Sequence, residues 1–95
     1  MSGTVLEREL EQVTTRDPLK EWQVVVHDDP VNLMNYVTWV FMDHFRLPKD
    51  EAHAKMLEVH NSGRAVLDHG NREHMERHAA AMQRYGLWAT IEEMP

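Results

Sequence analysis

The stretch VVVHDDPVNLM, residues 24–34, decides how this chain is read: it opens as a buried strand and then sets a histidine and two carboxylates side by side before a proline. Trp22, Val24 and Val26 alternate with Gln23 and Val25, which describes a strand covered well on one face and partly on the other. The strand ends at the corner His27-Asp28-Asp29-Pro30. That corner has two readings on its own. Asp before Pro is ordinary turn chemistry, and Asp29 is able to cap a helix backbone. Two carboxylates at the end of a strand also make an acceptor-rich site suited to a cation, either an amine or a metal ion.

Downstream, the spacing predicts three helices and two more strands. Asn32 is placed to cap a helix in which Leu33, Val37, Val40, Phe41 and His44 recur at intervals of three and four. Pro48, with Asp50 and Glu51 in the turn after it, opens a second helix that closes at Gly63 and carries His53, Met56, Leu57 and His60 on one stripe. Residues 64–68 alternate Ala65 and Leu67 as a short strand. His69-Gly70-Asn71 then turns and caps a third helix, whose inward stripe is Met75, Ala79 and Met82 and whose end is Tyr85-Gly86. Leu87, Ala89 and Ile91 alternate with Trp88 and Thr90 in a last strand. The expected fold class is α+β, a three-stranded antiparallel sheet packed against three helices in the order β-α-α-β-α-β. Residues 1–20 are polar and aperiodic, broken at Asp17-Pro18, and read as a flexible N-terminal extension with at most a transient turn at residues 6–11; residues 21–95 form the core.

Composition narrows the function classes. A chain of 95 residues with one hydrophobic set is a single small domain, and the absence of cysteine removes disulfides and thiolate metal sites. Sixteen acidic against ten basic residues give a net charge of −6, which argues against a nucleic-acid partner, since phosphate binding requires cations. There is no basic and apolar leader and no run of about 18 apolar residues, so a cytoplasmic protein with no membrane partner is expected. Seven histidines point to some chemistry that responds to pH between about 5 and 8.

Two further histidine features have bland and functional readings. His60, beside Val59 and four residues after Met56, is either a packed core residue or an acceptor at the mouth of an apolar hole. His74 and His78 have the spacing of helical metal ligands, but Met75 follows His74, so the HExxH pattern is absent; a solvated face with Glu73 and Arg77 paired four residues apart is the simpler account. No GxSxG, P-loop or GxGxxG occurs, and no cofactor is indicated.

Three segments together resemble the ClpS family of adaptors: VVVHDD with LMNYV, then KMLEVHNSGRAV, then YGLWATIEE, covering residues 21–92. His27 stands where that family usually has Asn. Pro30-Val31-Asn32-Leu33 places one more residue before Met34, as in versions resembling the actinobacterial branch. The resemblance implies a non-enzymatic N-degron adaptor, which binds proteins beginning with Phe, Leu, Tyr or Trp and hands them to a Clp-family AAA+ unfoldase and protease. It implies that His27, Asp28, Asp29 and His60 meet the α-amine. The side-chain pocket falls to Asn32, Leu33, Met34, Val37, Met56, Val59 and Leu87. Docking on the N-terminal domain of a ClpC- or ClpA-type unfoldase falls to Glu73, Arg77 and His78, with the adaptor a monomer. The rival classes are a metal-dependent hydrolase using His27, Asp28 and His60, and a purely structural interaction module.

Overall fold

The structure, a computed structural model, describes residues 20–95. Its elements are β1 (Trp22–His27), α1 (Met34–Phe45), α2 (Lys49–Ser62), β2 (Arg64–Gly70), α3 (Arg72–Arg84) and β3 (Trp88–Glu93), in the order read from the sequence. β1 lies in the middle of the sheet, β2-β1-β3, and pairs antiparallel with both neighbours. Its central place explains why Val24, Val25 and Val26 are all buried, although successive residues of a strand face opposite ways. Val24 and Val26 enter the main core with Val40, Phe41, Met75 and Met82. Val25 faces the other side, between Val66 and Thr90 in register. There a polar network closes over it: Gln23 donates to Glu92 at 2.6 Å, Arg64 pairs with the same carboxylate, and His27 Nε2 meets Thr90 Oγ1 at 2.7 Å.

The β1–β2 register shifts between Val24, opposite Asp68, and Val25, opposite Val66, so Leu67 is the extra residue of a bulge. α3 packs on β1 and β3, α2 on β2, and α1 on α2. No helix among the described residues is long and apolar enough to cross a membrane.

Helix termini follow the expected chemistry at Asn71 and Gly63 but not at Asn32. Asn71 Oδ1 accepts from the backbone N–H of His74 at 2.8 Å and starts α3. Gly63, at φ +86°, ends α2 and donates its N–H to Val59 at 2.9 Å. A Cβ on Gly63 would meet no atom within 4 Å, so the left-handed backbone rather than crowding selects glycine. α1 departs from expectation. Its N-cap position is Leu33, with no capping side chain, while Asn32 Nδ2 donates away from the helix to the carbonyl of Gly86 at 3.1 Å. Leu33 lies outside the helix and is exposed, so the buried positions of α1 begin at Val37.

Four other details correct the sequence reading. The buried stripe of α2 is Ala52, Met56 and Val59; His53 and His60 face solvent and Leu57 is half-buried. The small Ala52 hid the true phase of the helix. β2 continues to Gly70 because its pairing with β1 runs on as far as Trp22, and β3 begins at Trp88, one residue after the buried Leu87. On α3 the ion pair is Arg72 with Glu76 at 2.9 Å, not Glu73 with Arg77. The expected turn at residues 6–11 lies outside the described residues.

Candidate functional site

The end of β1, the start of α1 and the last turns of α2 surround a cavity of about 560 Å³, closed on a further side by Leu87. That size suits one large side chain with its backbone. Val26, Val37, Met56, Val59 and Leu87 are buried and form the apolar interior. Asp28, His60, Leu33 and Met34 are exposed and form the rim, with Asp29 and Asn32 half-buried between.

Local chain geometry sets each of these residues. The backbone N–H of Asp28 donates to the Gly63 carbonyl at 2.9 Å, extending the β1–β2 pairing one step past His27 and Arg64. This brings Asp28 to the end of α2, where His60, three residues before Gly63, lines the same cavity. Asp29 builds the next turn: its Oδ1 accepts from the Val31 N–H at 3.1 Å and its carbonyl from the Asn32 N–H at 3.1 Å. The Asn32 amide is fastened to Gly86, itself at φ +86°, and the Leu87 N–H donates to the Met82 carbonyl at 2.9 Å. The loop before α1 and the chain before β3 are thereby locked together on either side of the cavity.

Among the described residues, the lining includes two carboxylates and no lysine or arginine. Its chemistry is an apolar hole beside an anionic, acceptor-rich edge, suited to a ligand that is apolar at one end and cationic at the other. Every residue assigned from sequence to the amine or pocket group, namely His27, Asp28, Asp29 and His60 together with Asn32, Leu33, Met34, Val37, Met56, Val59 and Leu87, lies on this one cavity. His27 also turns to the open sheet face, where its ring stands 4.6 Å from that of Trp88 and meets Thr90. Sequence reasoning missed Val26, Pro30 and Asn35 in the lining. Their signal was only adjacency, since each neighbours a residue already singled out.

Residues 17–90 match the family described as ATP-dependent Clp protease adaptor protein ClpS. The chain belongs to the ClpS family. Its ClpS relatives include the ATP-dependent Clp protease adapter protein of Streptomyces coelicolor, 52% identical over 77 residues that cover 81% of this chain and 80% of that protein. The ClpS of Mycobacterium tuberculosis is 44% identical over 91 residues, covering 96% and 88%. Among solved structures, Agrobacterium tumefaciens ClpS2 bound to L-phenylalaninamide superposes with a TM-score of 0.73 at 27% identity, covering 79% of this chain and 98% of that one. The family is one of adaptors for the Clp protease, and both of these relatives come from actinobacteria.

The three α3 residues assigned to partner docking separate in this ClpS-family chain. Glu73 and Arg77 are exposed, whereas His78 is half-buried and engaged on both ring nitrogens. Its Nε2 lies 3.2 Å from Asp68 and its Nδ1 2.8 Å from His44 Nε2 on α1. Burial lowers the pKa of His44, and the adjacent His78 and Arg84 push the same way against Asp43. His74, four residues earlier, is exposed and approaches Asn71 instead, and no group of three His, Asp or Glu among the described residues is arranged to share a metal ion.

Proposed function

We propose that this ClpS-family adaptor binds the N-terminal residue of a substrate protein when that residue is Phe, Leu, Tyr or Trp. It then delivers the substrate to a Clp AAA+ unfoldase. The first side chain fills the hole formed by Val37, Met56, Val59 and Leu87, and the α-ammonium sits at the rim against Asp28 and His60, with His27 and Asp29 completing the acceptor edge. The observation that carries this reading is the placement of an anionic edge beside an apolar cavity whose lining, among the described residues, carries no lysine or arginine. Phenylalaninamide, the ligand of the Agrobacterium relative, has the same two features, an aromatic side chain and a free α-amine.

Energetics support the assignment. Charge-assisted hydrogen bonds to an ammonium contribute roughly 1.5–3 kcal/mol each, and burying a Leu or Phe side chain about as much. Against the costs of association the sum suits micromolar affinity, near −8 kcal/mol. No step makes or breaks a bond; the adaptor acts by holding one chain end and presenting it. Glu73 and Arg77 on the exposed face of α3 are the groups proposed to meet the N-terminal domain of a ClpC- or ClpA-type unfoldase, with the adaptor acting as a monomer in the cytoplasm. His78, held inside by Asp68 and His44, supports that face from beneath.

The test is fluorescence anisotropy with peptides that differ only at their first residue or its amine. Phe-, Leu-, Tyr- and Trp-initiated peptides bind, Ser- and Glu-initiated ones do not, and α-acetylation removes most of the affinity. Equal binding of free and acetylated peptides overturns the proposal.

A further inference from the structure

Two apolar side chains stand in water, Leu33 on the rim of the cavity at 71% exposed and Val31, two residues before it, at 85% exposed. They are not on a slack loop. The turn that carries them is pinned by Asp29 at two points and by the Asn32 amide to Gly86. Leu33 also occupies the N-cap of α1, with no side-chain hydrogen bond, where Ser, Thr, Asp or Asn would stabilise the helix by about 1 kcal/mol. The sequence thus breaks two local rules at adjacent positions, an exposed aliphatic pair and an uncapped helix, within a segment from Pro30 to Asn35 that has no charge in a chain of net charge −6. Such local conflicts mark sites kept for binding.

Resting on the function proposed above, we infer that Val31 and Leu33 form a ledge that reads the third residue of the bound chain and favours an apolar side chain there. Leu33 belongs both to the cavity lining and to the exposed rim, so the ledge is continuous with the first-residue pocket; Val31 lies outside the cavity. A chain leaving the cavity in extended form alternates its side chains between faces. The second residue therefore points away from the adaptor. The third returns to the adaptor's face roughly 6–7 Å from the first, about two strand residues along, which is the step the inference assigns to the ledge beside the rim. An aliphatic side chain there covers Val31 and Leu33 from water. An aspartate there gains no apolar contact and faces Asp28 and Asp29 nearby.

The experiment uses the full chain and three leucine-initiated peptides whose third residue is leucine, serine or aspartate, each also in α-acetylated form, together with a set varied at the second residue. The wild type binds the peptide with leucine in third place about 3- to 10-fold more tightly than the one with serine there, the range set by covering part of one aliphatic side chain. In Val31→Ser this ratio falls toward one while affinity for the serine-bearing peptide is kept; Leu33→Ser lowers the ratio and weakens all peptides together. Folding is checked by circular dichroism, and Val31, being almost fully exposed, is safe to replace. A wild-type ratio of one, a ratio unchanged in Val31→Ser, or a dependence on the second residue that the same variant abolishes each overturns the inference while the loss on acetylation leaves the first-residue reading intact. Loss of the acetylation effect instead overturns the first-residue reading itself.

Discussion

The Asp28 N–H and the Gly63 carbonyl, 2.9 Å apart, join the end of the central strand to the joint between α2 and β2, and so bring Asp28 and His60 to one apolar cavity. Neither residue makes a site alone. The hydrogen bond fixes their relative position with backbone atoms, leaving the Asp28 side chain available to a ligand.

Asp28→Ala is expected to weaken binding of a Phe-initiated peptide at least tenfold, because an ammonium that leaves water without its acceptor is costly. Asp29→Ala is expected to lose less, since one Asp29 oxygen is already committed to the Val31 N–H. Parallel titrations of the two folded variants decide the order; a larger loss for Asp29→Ala reverses the assignment.

Met34, 42% exposed on the cavity rim, is the side chain proposed to exclude β-branched first residues, which carry two heavy atoms on Cβ. Met34→Ala raises affinity for Ile- and Val-initiated peptides relative to Leu. A ratio that moves in Leu33→Ala but not in Met34→Ala shows that the longer loop has transferred the gate.

Met56 is 4% exposed and belongs to both the core and the cavity wall. Met56→Ala therefore destabilises by about 2–5 kcal/mol. It also enlarges the hole, shifting preference from Leu toward Trp. Urea unfolding reads the first effect and competition between the two peptides the second.

Gly63→Ala introduces no clash, so its expected cost is the left-handed backbone alone, about 1–2 kcal/mol. Gly63→Asn, which tolerates that conformation better, recovers part of the loss. Equal unfolding midpoints for Gly63→Ala and the wild type would contradict this.

Acid exposes His44. Its pKa is lowered in the fold by burial and by His78, so the folded state binds fewer protons than the unfolded state just below the ordinary value of 6.5. Stability is therefore complete above 6.5 and declines as pH falls through the lowered value. Glu92, held below its usual 4.5 by Arg64 and Gln23, acts in a separate and more acidic window. Denaturant midpoints between pH 7.5 and 5.5 fall for the wild type and fall less for His44→Gln, whose amide is still able to donate to His78.

Much of this was legible in the sequence because backbone punctuation and apolar alternation are local signals. Gly63, Asn71 and the alternation around Val24 and Ala89 marked their elements correctly, and the resemblance gathered residues from three elements and two loops that the fold does bring to one cavity. What was hidden depended on tertiary partners. Asn32 has the side chain of a cap, but Gly86, 54 residues away, offers its amide a carbonyl and draws it off the helix. His60 sits beside apolar residues in sequence, yet a turn of the α2 axis that buries Ala52 leaves it in solvent. His78 has the surface spacing of a docking residue, and only the folded chain reveals Asp68 and His44 on either side of it.

The cavity wall is drawn from Val26 and Val37, from Met56 and Val59, and from Leu87, segments that meet only when the antiparallel ladder and the helical layer are both in place. The wall is complete only in the folded domain. Occupancy is consequently linked to global folding, and a saturating peptide raises the unfolding free energy by about 2.7 kcal/mol when present at a hundredfold its dissociation constant. An adaptor carrying cargo is thus harder to unfold than an empty one, a useful asymmetry for a protein whose partner is an unfolding machine.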